Sequence, residues 1–149
     1  EGRKRRQKVG LVFQYPEHQL FEVSVIKDVE FGPRNLGLSN LEVEKRSFDA
    51  LKQVGLSDDL LDVAPFALSG GQKRRVAIAG VVAMRPEVLI LDEPLAGLDE
   101  KTQDMLVDFL QSFHKAGKTL ITITHNRQLA ETIGTRFACM NEEHELNML

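Results

Sequence analysis

Two short stretches of this chain combine residue types that bind phosphate and metal. Residues 68–72 read LSGGQ and residues 88–94 read VLILDEP. Ser69, Gly70 and Gly71 stand where a helix is predicted to begin. Glycines let the backbone approach a ligand closely, and the free N–H groups of a helix N-terminus suit a phosphate. The second stretch is an apolar run that ends in two acids, as in a buried strand that delivers carboxylates to a metal. Together they predict an ATP site.

The two acids, Asp92 and Glu93, are predicted to have separate roles. Neighbouring residues on a strand point to opposite faces, so adjacent acids can act on different atoms. Asp92 would hold Mg²⁺, directly or through water, and Glu93 would polarise the water that attacks a γ-phosphate. A lone Asp-Glu pair would more often be a polar strand end before a turn, here at Pro94. The LSGGQ stretch upstream favours the catalytic interpretation.

The elements that position these residues alternate between strand and helix. Strands are predicted at residues 9–13, 88–91, 119–124 and 136–140, and helices at residues 39–54, 57–63, 71–84 and 129–133. Apolar residues between 105 and 113 form the stripe of a further helix that ends at Gly117. Residues 15–34, with Pro16 and Pro33, are predicted to be irregular. This alternation predicts an α/β fold with a parallel sheet. The predicted division is a sheet core of residues 1–14 and 87–140 and a mostly helical insertion of residues 15–86.

Bulk properties limit the possible functions. The chain has 149 residues, about one domain, with 42% hydrophobic and 28% charged residues. No apolar run approaches the roughly 18 residues of a membrane helix, so membrane contact would require a partner. The net charge of −3 argues against a nucleic-acid partner. Cys139 is the only cysteine, which excludes an internal disulfide and fits a reducing compartment.

In this order, LSGGQ and VLILDEP resemble the signature and Walker B motifs of ATP-binding-cassette (ABC) ATPases. Three further strings resemble motifs of the same family. Residues 9–14, VGLVFQ, resemble the Q-loop, and residues 96–99, AGLD, resemble the D-loop. Residues 123–125, ITH, resemble the segment that carries the switch histidine. The resemblance covers residues 8 to about 140. It implies a P-loop NTPase fold that binds ATP and Mg²⁺, with an inserted helical subdomain.

The resemblance also assigns roles to single residues. Gln14 would contact Mg²⁺ and the attacking water, which a neutral amide can do without adding charge. His125 would donate to the γ-phosphate. Asp99 would lie at the seam between two nucleotide-binding subunits. The signature residues Ser69, Gly70, Gly71 and Gln72 would bind the nucleotide. Outside this context Gln14 would be a surface residue and His125 a structural one.

One branch of the family is indicated by two longer strings. Residues 9–21, VGLVFQYPEHQLF, and residues 28–38, DVEFGPRNLGL, resemble energy-coupling factor (ECF) ATPases. These form a homo- or heterodimer of ATPase subunits. They pair with a membrane-embedded coupling protein and a substrate-binding membrane subunit, and import vitamins or cobalt and nickel ions in prokaryotes. The resemblance implies an ATPase at the cytoplasmic face of the cell membrane.

The same branch docks its coupling protein on the segment after the Q-loop. Apolar residues that would form such a surface are Phe13, Leu20, Phe21, Phe31 and Phe48. Packing inside the helical insertion is the more frequent use of such residues.

The chain departs from the family pattern at both ends. It contains no Gly-x-x-x-x-Gly-Lys-Ser/Thr, because residues 32–39 have the glycine spacing but Leu38 in place of the lysine. In the family this Walker A motif precedes the Q-loop. After Met140 the sequence is polar and acidic, without the expected turn and strand. We therefore expect a fragment or truncated product that is inactive alone.

Two alternatives remain at this stage. The first is an ABC ATPase of DNA repair, chromosome structure or translation. The short spacing from Gln14 to Ser69 disfavours the coiled-coil members of that group, and the absence of a basic surface disfavours nucleic acid. The second is an interaction module that only lends residues 69–71 to the nucleotide of a partner.

Overall fold

Three parallel strands form the sheet, and a computed structural model describes residues 8–148 of the chain. The strands are β1 (Val9–Val12), β2 (Val88–Asp92) and β3 (Thr119–Ile123), in the order β1-β2-β3. Val12 pairs with Leu91, and Asp92 with Ile123, so the carboxyl ends of all three strands meet at one edge. The predicted parallel α/β sheet is confirmed for the strands predicted at residues 9–13, 88–91 and 119–124. The strand predicted at residues 136–140 is not part of this sheet, and residues 1–7 of the predicted core lie outside the described part.

The segment between β1 and β2 is helical, as predicted. It contains α1 (Val25–Asn35), α2 (Asn40–Gln53) and α3 (Gly70–Val82), with single 3-10 turns at Pro16–Gln19, Asp58–Leu60 and Pro65–Ala67. The three α-helices pack against one another, and α3 also packs against β1. The helices share an apolar core in which Val29, Val43 and Val76 are fully buried. The boundaries of the insertion at residues 15 and 86 stay a prediction.

The sequence-based prediction that residues 15–34 are irregular is wrong for helix α1. Val25 and Val29 on this helix are fully buried, so apolar burial favours the helical conformation. Pro33 lies within the helix but close to its end. It therefore removes only one late intrahelical hydrogen bond, and its ring is buried. The predicted helix at residues 57–63 is reduced to the 3-10 turn Asp58–Leu60.

The C-terminal part returns to alternating helix and strand. It contains α4 (Glu100–Lys115), β3, α5 (Arg127–Ile133), β4 (Ala138–Met140) and β5 (Leu146–Met148). Strands β4 and β5 form an antiparallel hairpin separate from the parallel sheet. The expectation that no strand follows Met140 is therefore wrong. The Asn141 side chain makes the turn, because its oxygen accepts from the N–H groups of Glu143 (3.0 Å) and Glu145 (2.8 Å).

None of the helices within residues 8–148 combines the length and the apolar character needed to cross a bilayer.

Candidate active site

Glu93 directly follows β2, and the residues after β3 hold its carboxylate. The Thr124 hydroxyl donates to Oε2 (3.1 Å) and the His125 N–H donates to Oε1 (2.8 Å). His125 Nδ1 lies 2.6 Å from the same Oε1. The Glu93 N–H donates to the carbonyl of Ile123 (2.8 Å). Because β2 and β3 are parallel neighbours, their carboxyl ends bring these residues together, and the predicted catalytic pair Glu93 and His125 lies in direct contact.

This contact leaves free positions on both side chains. The Nδ1 atom of His125 faces Glu93, so Nε2 is the ring nitrogen available to a ligand, and 89% of the side chain is exposed. The Oε2 atom of Glu93 receives one donor among the described residues, whereas Oε1 faces two nitrogens. A carboxylate oxygen accepts more than one hydrogen bond. The carboxylate can therefore accept from a water, and the imidazole, when it carries a proton on both nitrogens, can donate to an anion at the same edge of the sheet.

Asp92 and Gln14 lie at this edge as well. Asp92 is the half-buried last residue of β2, and the exposed Gln14 follows the neighbouring strand β1 by two residues. Within residues 8–148 there is no cluster of three or more His, Cys, Asp or Glu side chains that would hold a metal. One carboxylate and one amide nevertheless fit Mg²⁺, which is commonly bound by one or two protein oxygens together with water and phosphate oxygens.

Ser69 begins helix α3 with a complete capping box. Its hydroxyl accepts from the Gln72 N–H (3.2 Å), and the Gln72 side-chain oxygen accepts from the Ser69 N–H (2.9 Å). The predicted nucleotide-binding residue Gln72 therefore shapes the helix start. Nothing lies within 4 Å of the position that a Cβ on Gly70 would occupy. A phosphate can consequently approach the backbone at this helix N-terminus.

Asp99 caps helix α4. Its carboxylate accepts from the Thr102 N–H (3.0 Å) and hydroxyl (2.6 Å). The Thr102 hydroxyl, together with the Thr102 N–H, holds the pKa of Asp99 below its ordinary value. A Cβ on Gly71 would lie 3.5 Å from Thr102 Cγ2 and 3.6 Å from Leu98 Cδ2. The start of α3 and the start of α4 are thus adjacent, which groups Asp99 with the LSGGQ residues.

Two residues of this region were missed in the sequence. The Thr124 hydroxyl donates to the Glu93 carboxylate, and the position of Thr124 directly before His125 could have indicated this role. Arg74 is buried in α3, with only 4% of its side chain exposed, and contacts Glu17 and Ala96. No local signal distinguishes Arg74 from the neighbouring cations Lys73 and Arg75; only its burial, which requires a partner for the charge, identifies it.

An apolar groove of about 360 Å³ lies between α1, α3 and the residues after β1. The rings of Phe21 and Phe31 meet edge to face across 4.9 Å, and both side chains are exposed. Leu20 also lines the groove, and Asp28 holds the Phe21 and Glu22 N–H groups at 3.2 Å each. Two other residues predicted for this surface lie elsewhere: Phe13 is exposed beside β1 and Phe48 is half-buried on α2.

The sequence of this chain is similar to that of ABC transporter proteins. Residues 1–96 match the profile of the family described as ABC transporter. The energy-coupling factor transporter ATP-binding protein EcfA2 of Streptococcus agalactiae is 58% identical over 120 residues, which is 80% of this chain and 43% of that protein. EcfA2 of Bacillus subtilis is 50% identical over 141 residues, 94% of this chain and 51% of the relative. The chain therefore spans about half the length of these curated relatives.

Solved structures are similar as well. CbiO1 from Clostridium perfringens, described as part of the ABC transporter complex cbiONQ, has a TM-score of 0.74 and 47% identity, covering 83% of this chain and 49% of its own. The ATP-binding cassette MJ0796, in a dimeric post-hydrolysis state bound to ADP and Pi, has a TM-score of 0.80 and 32% identity. That match covers 92% of this chain and 60% of MJ0796.

Proposed function

Because this chain belongs to the ABC transporter family, we propose that the whole protein is the ATP-hydrolysing subunit of an ECF-type importer in a prokaryote. The observation that carries the chemistry is the contact of Glu93 with Thr124 and His125 at the edge where Asp92 ends β2. The 58% and 50% identities to ECF transporter ATP-binding proteins support the ECF branch.

In the proposed reaction each residue at the sheet edge acts on a different atom. Glu93 accepts from the attacking water through Oε2 and orients it. His125 acts in this proposal with a proton on each ring nitrogen: Nδ1 donates to Glu93, which fixes the ring, and Nε2 donates to the γ-phosphate. Asp92 and Gln14 would hold Mg²⁺, which would supply positive charge beside the phosphate oxygens.

The LSGGQ group is proposed to act on nucleotide held by a second ATPase subunit. Ser69, Gly70 and Gly71 offer a helix N-terminus for the phosphates, and Gln72 keeps that end ordered through the capping box. Asp99 lies beside them and would face the subunit seam. The dimeric arrangement of the ADP-bound cassette, 32% identical to this chain, supports a two-subunit assembly.

The groove with Phe21 and Phe31 is proposed to bind a cytoplasmic helix of a membrane coupling protein, next to a substrate-binding membrane subunit. An apolar helix face laid into an apolar groove is a common recognition mode. Membership of the 47% identical CbiO1 in a transporter complex supports membrane partners. We therefore propose that the protein lies peripherally at the cytoplasmic face of the cell membrane.

Purification of the whole protein with its membrane partners tests the proposal. We expect a complex of two ATPase subunits and two kinds of membrane subunit, with a vitamin or a cobalt or nickel ion bound. Mass spectrometry and metal analysis identify that solute. Recovery of the protein without any membrane subunit, under conditions that keep membrane complexes intact, would contradict it.

A further inference from the structure

The buried cation Arg74 joins three separate segments of the chain. Its Nη1 donates to the carbonyl of Ala96, in the loop between Glu93 and Asp99. Its Nε lies 3.4 Å from Glu17 Oε2 and its Nη2 3.5 Å from Glu17 Oε1. Glu17 belongs to the 3-10 turn Pro16–Gln19. The guanidinium of Arg74 therefore connects helix α3, to which it belongs, with the turn after Gln14 and the loop after β2.

The environment of Arg74 gives these contacts geometric precision. Its side chain is 4% exposed and that of Glu17 is 17% exposed, so neither charge is freely solvated. Arginine presents its donors in a rigid fork, which fixes the direction of each partner. A buried ion pair contributes little net stability. Its defined geometry suits it better to holding three segments in register than to stabilising the fold.

The Glu17 turn leads directly into the apolar groove. Leu20 and Phe21 follow it and line the groove. The carboxylate of Asp28 on α1 accepts from the N–H groups of Phe21 and Glu22, which attaches this segment to the insertion. A partner that shifts Phe21 therefore shifts a short, anchored segment whose other end is bonded to Arg74.

We propose that Arg74 is a positioning residue that couples occupancy of the groove to the placement of the LSGGQ helix and the Ala96 loop. This rests on the proposed function, since it requires ATP hydrolysis and a membrane partner. Displacement of Glu17 breaks its two contacts with the guanidinium. Helix α3 and the Ala96 loop are then no longer held in a fixed position relative to the turn that carries Glu17. Arg74 touches no reacting atom in this account.

The test is the amount of solute transported per ATP hydrolysed by the complete transporter in sealed vesicles. The variants are Arg74→Gln, Glu17→Gln and the double variant. A matched control is Arg127→Gln, which removes an exposed ion pair with Glu131 on α5. Misfolded protein contributes to neither transport nor hydrolysis, so the ratio is insensitive to a loss of folded protein.

We expect Arg74→Gln to lower the ratio at least about fivefold, the lower end of typical coupling between sites, while hydrolysis continues. Glu17→Gln lowers it in the same direction, and the double variant is no worse than Arg74→Gln because both residues act through one contact. The control keeps the wild-type ratio. If Arg74→Gln does not assemble, Glu17→Gln decides.

A wild-type ratio in Glu17→Gln, or an equal fall in Arg127→Gln, would overturn the role of Arg74 and leave the proposed function intact. Absence of ATP hydrolysis and transport in the wild-type complex would instead overturn the proposed function and this inference together.

Discussion

At the scale of single residues, Glu93 has an unusual backbone. Its φ of 46° lies in the left-handed region, where a non-glycine residue carries strain of about 1–3 kcal/mol. The bond from its N–H to Ile123 and the donors on its carboxylate hold it there. The strained turn directs the carboxylate toward Thr124 and His125. Strain of this kind is concentrated at functional sites, which agrees with a catalytic role.

We expect Glu93→Gln in the whole protein to lower kcat about 10²–10⁴-fold while ATP binding is retained, because an amide cannot act as the general base. The amide oxygen still accepts from Thr124 or His125, so the fold is kept. Steady-state hydrolysis and nucleotide binding are measured together. Glu131→Gln, at an exposed position, is the control, and an unchanged kcat in Glu93→Gln would remove Glu93 from the catalytic role.

His125→Ala should reduce hydrolysis by about 10²–10³-fold, the usual effect of losing one donor to a developing anion. The ring is 89% exposed, so little packing is lost, and the backbone N–H to Glu93 remains. Thermal unfolding and kcat separate the two roles. A collapse of the melting temperature with normal activity in the remaining folded protein would show that His125 is structural.

At the scale of elements, two helices begin with the same cap in different surroundings. The Ser39 hydroxyl accepts from the Glu42 N–H (3.3 Å) at the start of α2, and the Ser69 hydroxyl accepts from the Gln72 N–H (3.2 Å) at the start of α3. Only the second lies in the LSGGQ stretch. Variants at the two serines can therefore distinguish the capping effect of Ser69 from its proposed contact with the nucleotide.

We predict that Ser39→Ala and Ser69→Ala each lower the free energy of unfolding by about 1 kcal/mol, the typical value of an N-cap. Only Ser69→Ala should also lower ATP turnover in the assembled complex. Chemical denaturation and hydrolysis assays measure the two effects. Equal turnover in both variants would restrict Ser69 to capping.

The limits of sequence reasoning are visible in these elements. Local patterns sufficed for β1 to β4 and for α2, α3 and α4, because apolar periodicity and caps are local signals. Helix α1 was missed because Pro16 and Pro33 favour an irregular segment, although burial of Val25 and Val29 decides the conformation. The β4–β5 hairpin was missed because a single side chain, Asn141, forms its turn.

The candidate site was predictable to a similar extent. The strand ends that carry Glu93 and His125 are adjacent in any parallel arrangement of β2 and β3, so their contact follows from the order of motifs. Arg74 was not predicted, because its partners Glu17 and Ala96 lie far from it in sequence and only packing brings them together.

At the scale of the whole molecule, one face of the parallel sheet is apolar and exposed. Leu11 on β1 and Ile121 and Ile123 on β3 are exposed large side chains, and β3 forms an edge of the sheet. Parallel sheets are normally covered on both faces, and an unpaired edge favours association. The helices of the insertion bury Val29 and Val76 completely, in an apolar core that continues into β2 and α4.

We therefore expect the isolated 149-residue chain to self-associate. Hydrogen exchange should protect α2 and α3 more strongly than β3, because β3 pairs only with β2 among the described residues. Sizing by light scattering and exchange on the soluble fraction measure both properties. A monomer with strong, cooperative protection of Thr119–Ile123 would contradict this expectation.

ATP-driven uptake by the complete transporter, reconstituted in sealed vesicles with its membrane subunits, tests the central claim most directly. The account predicts that the solute identified in the purified complex accumulates only when ATP and Mg²⁺ are present on the side of the ATPase subunits. It also predicts that Glu93→Gln abolishes this accumulation. Hydrolysis of ATP without any movement of solute, or uptake that persists in Glu93→Gln, would contradict it.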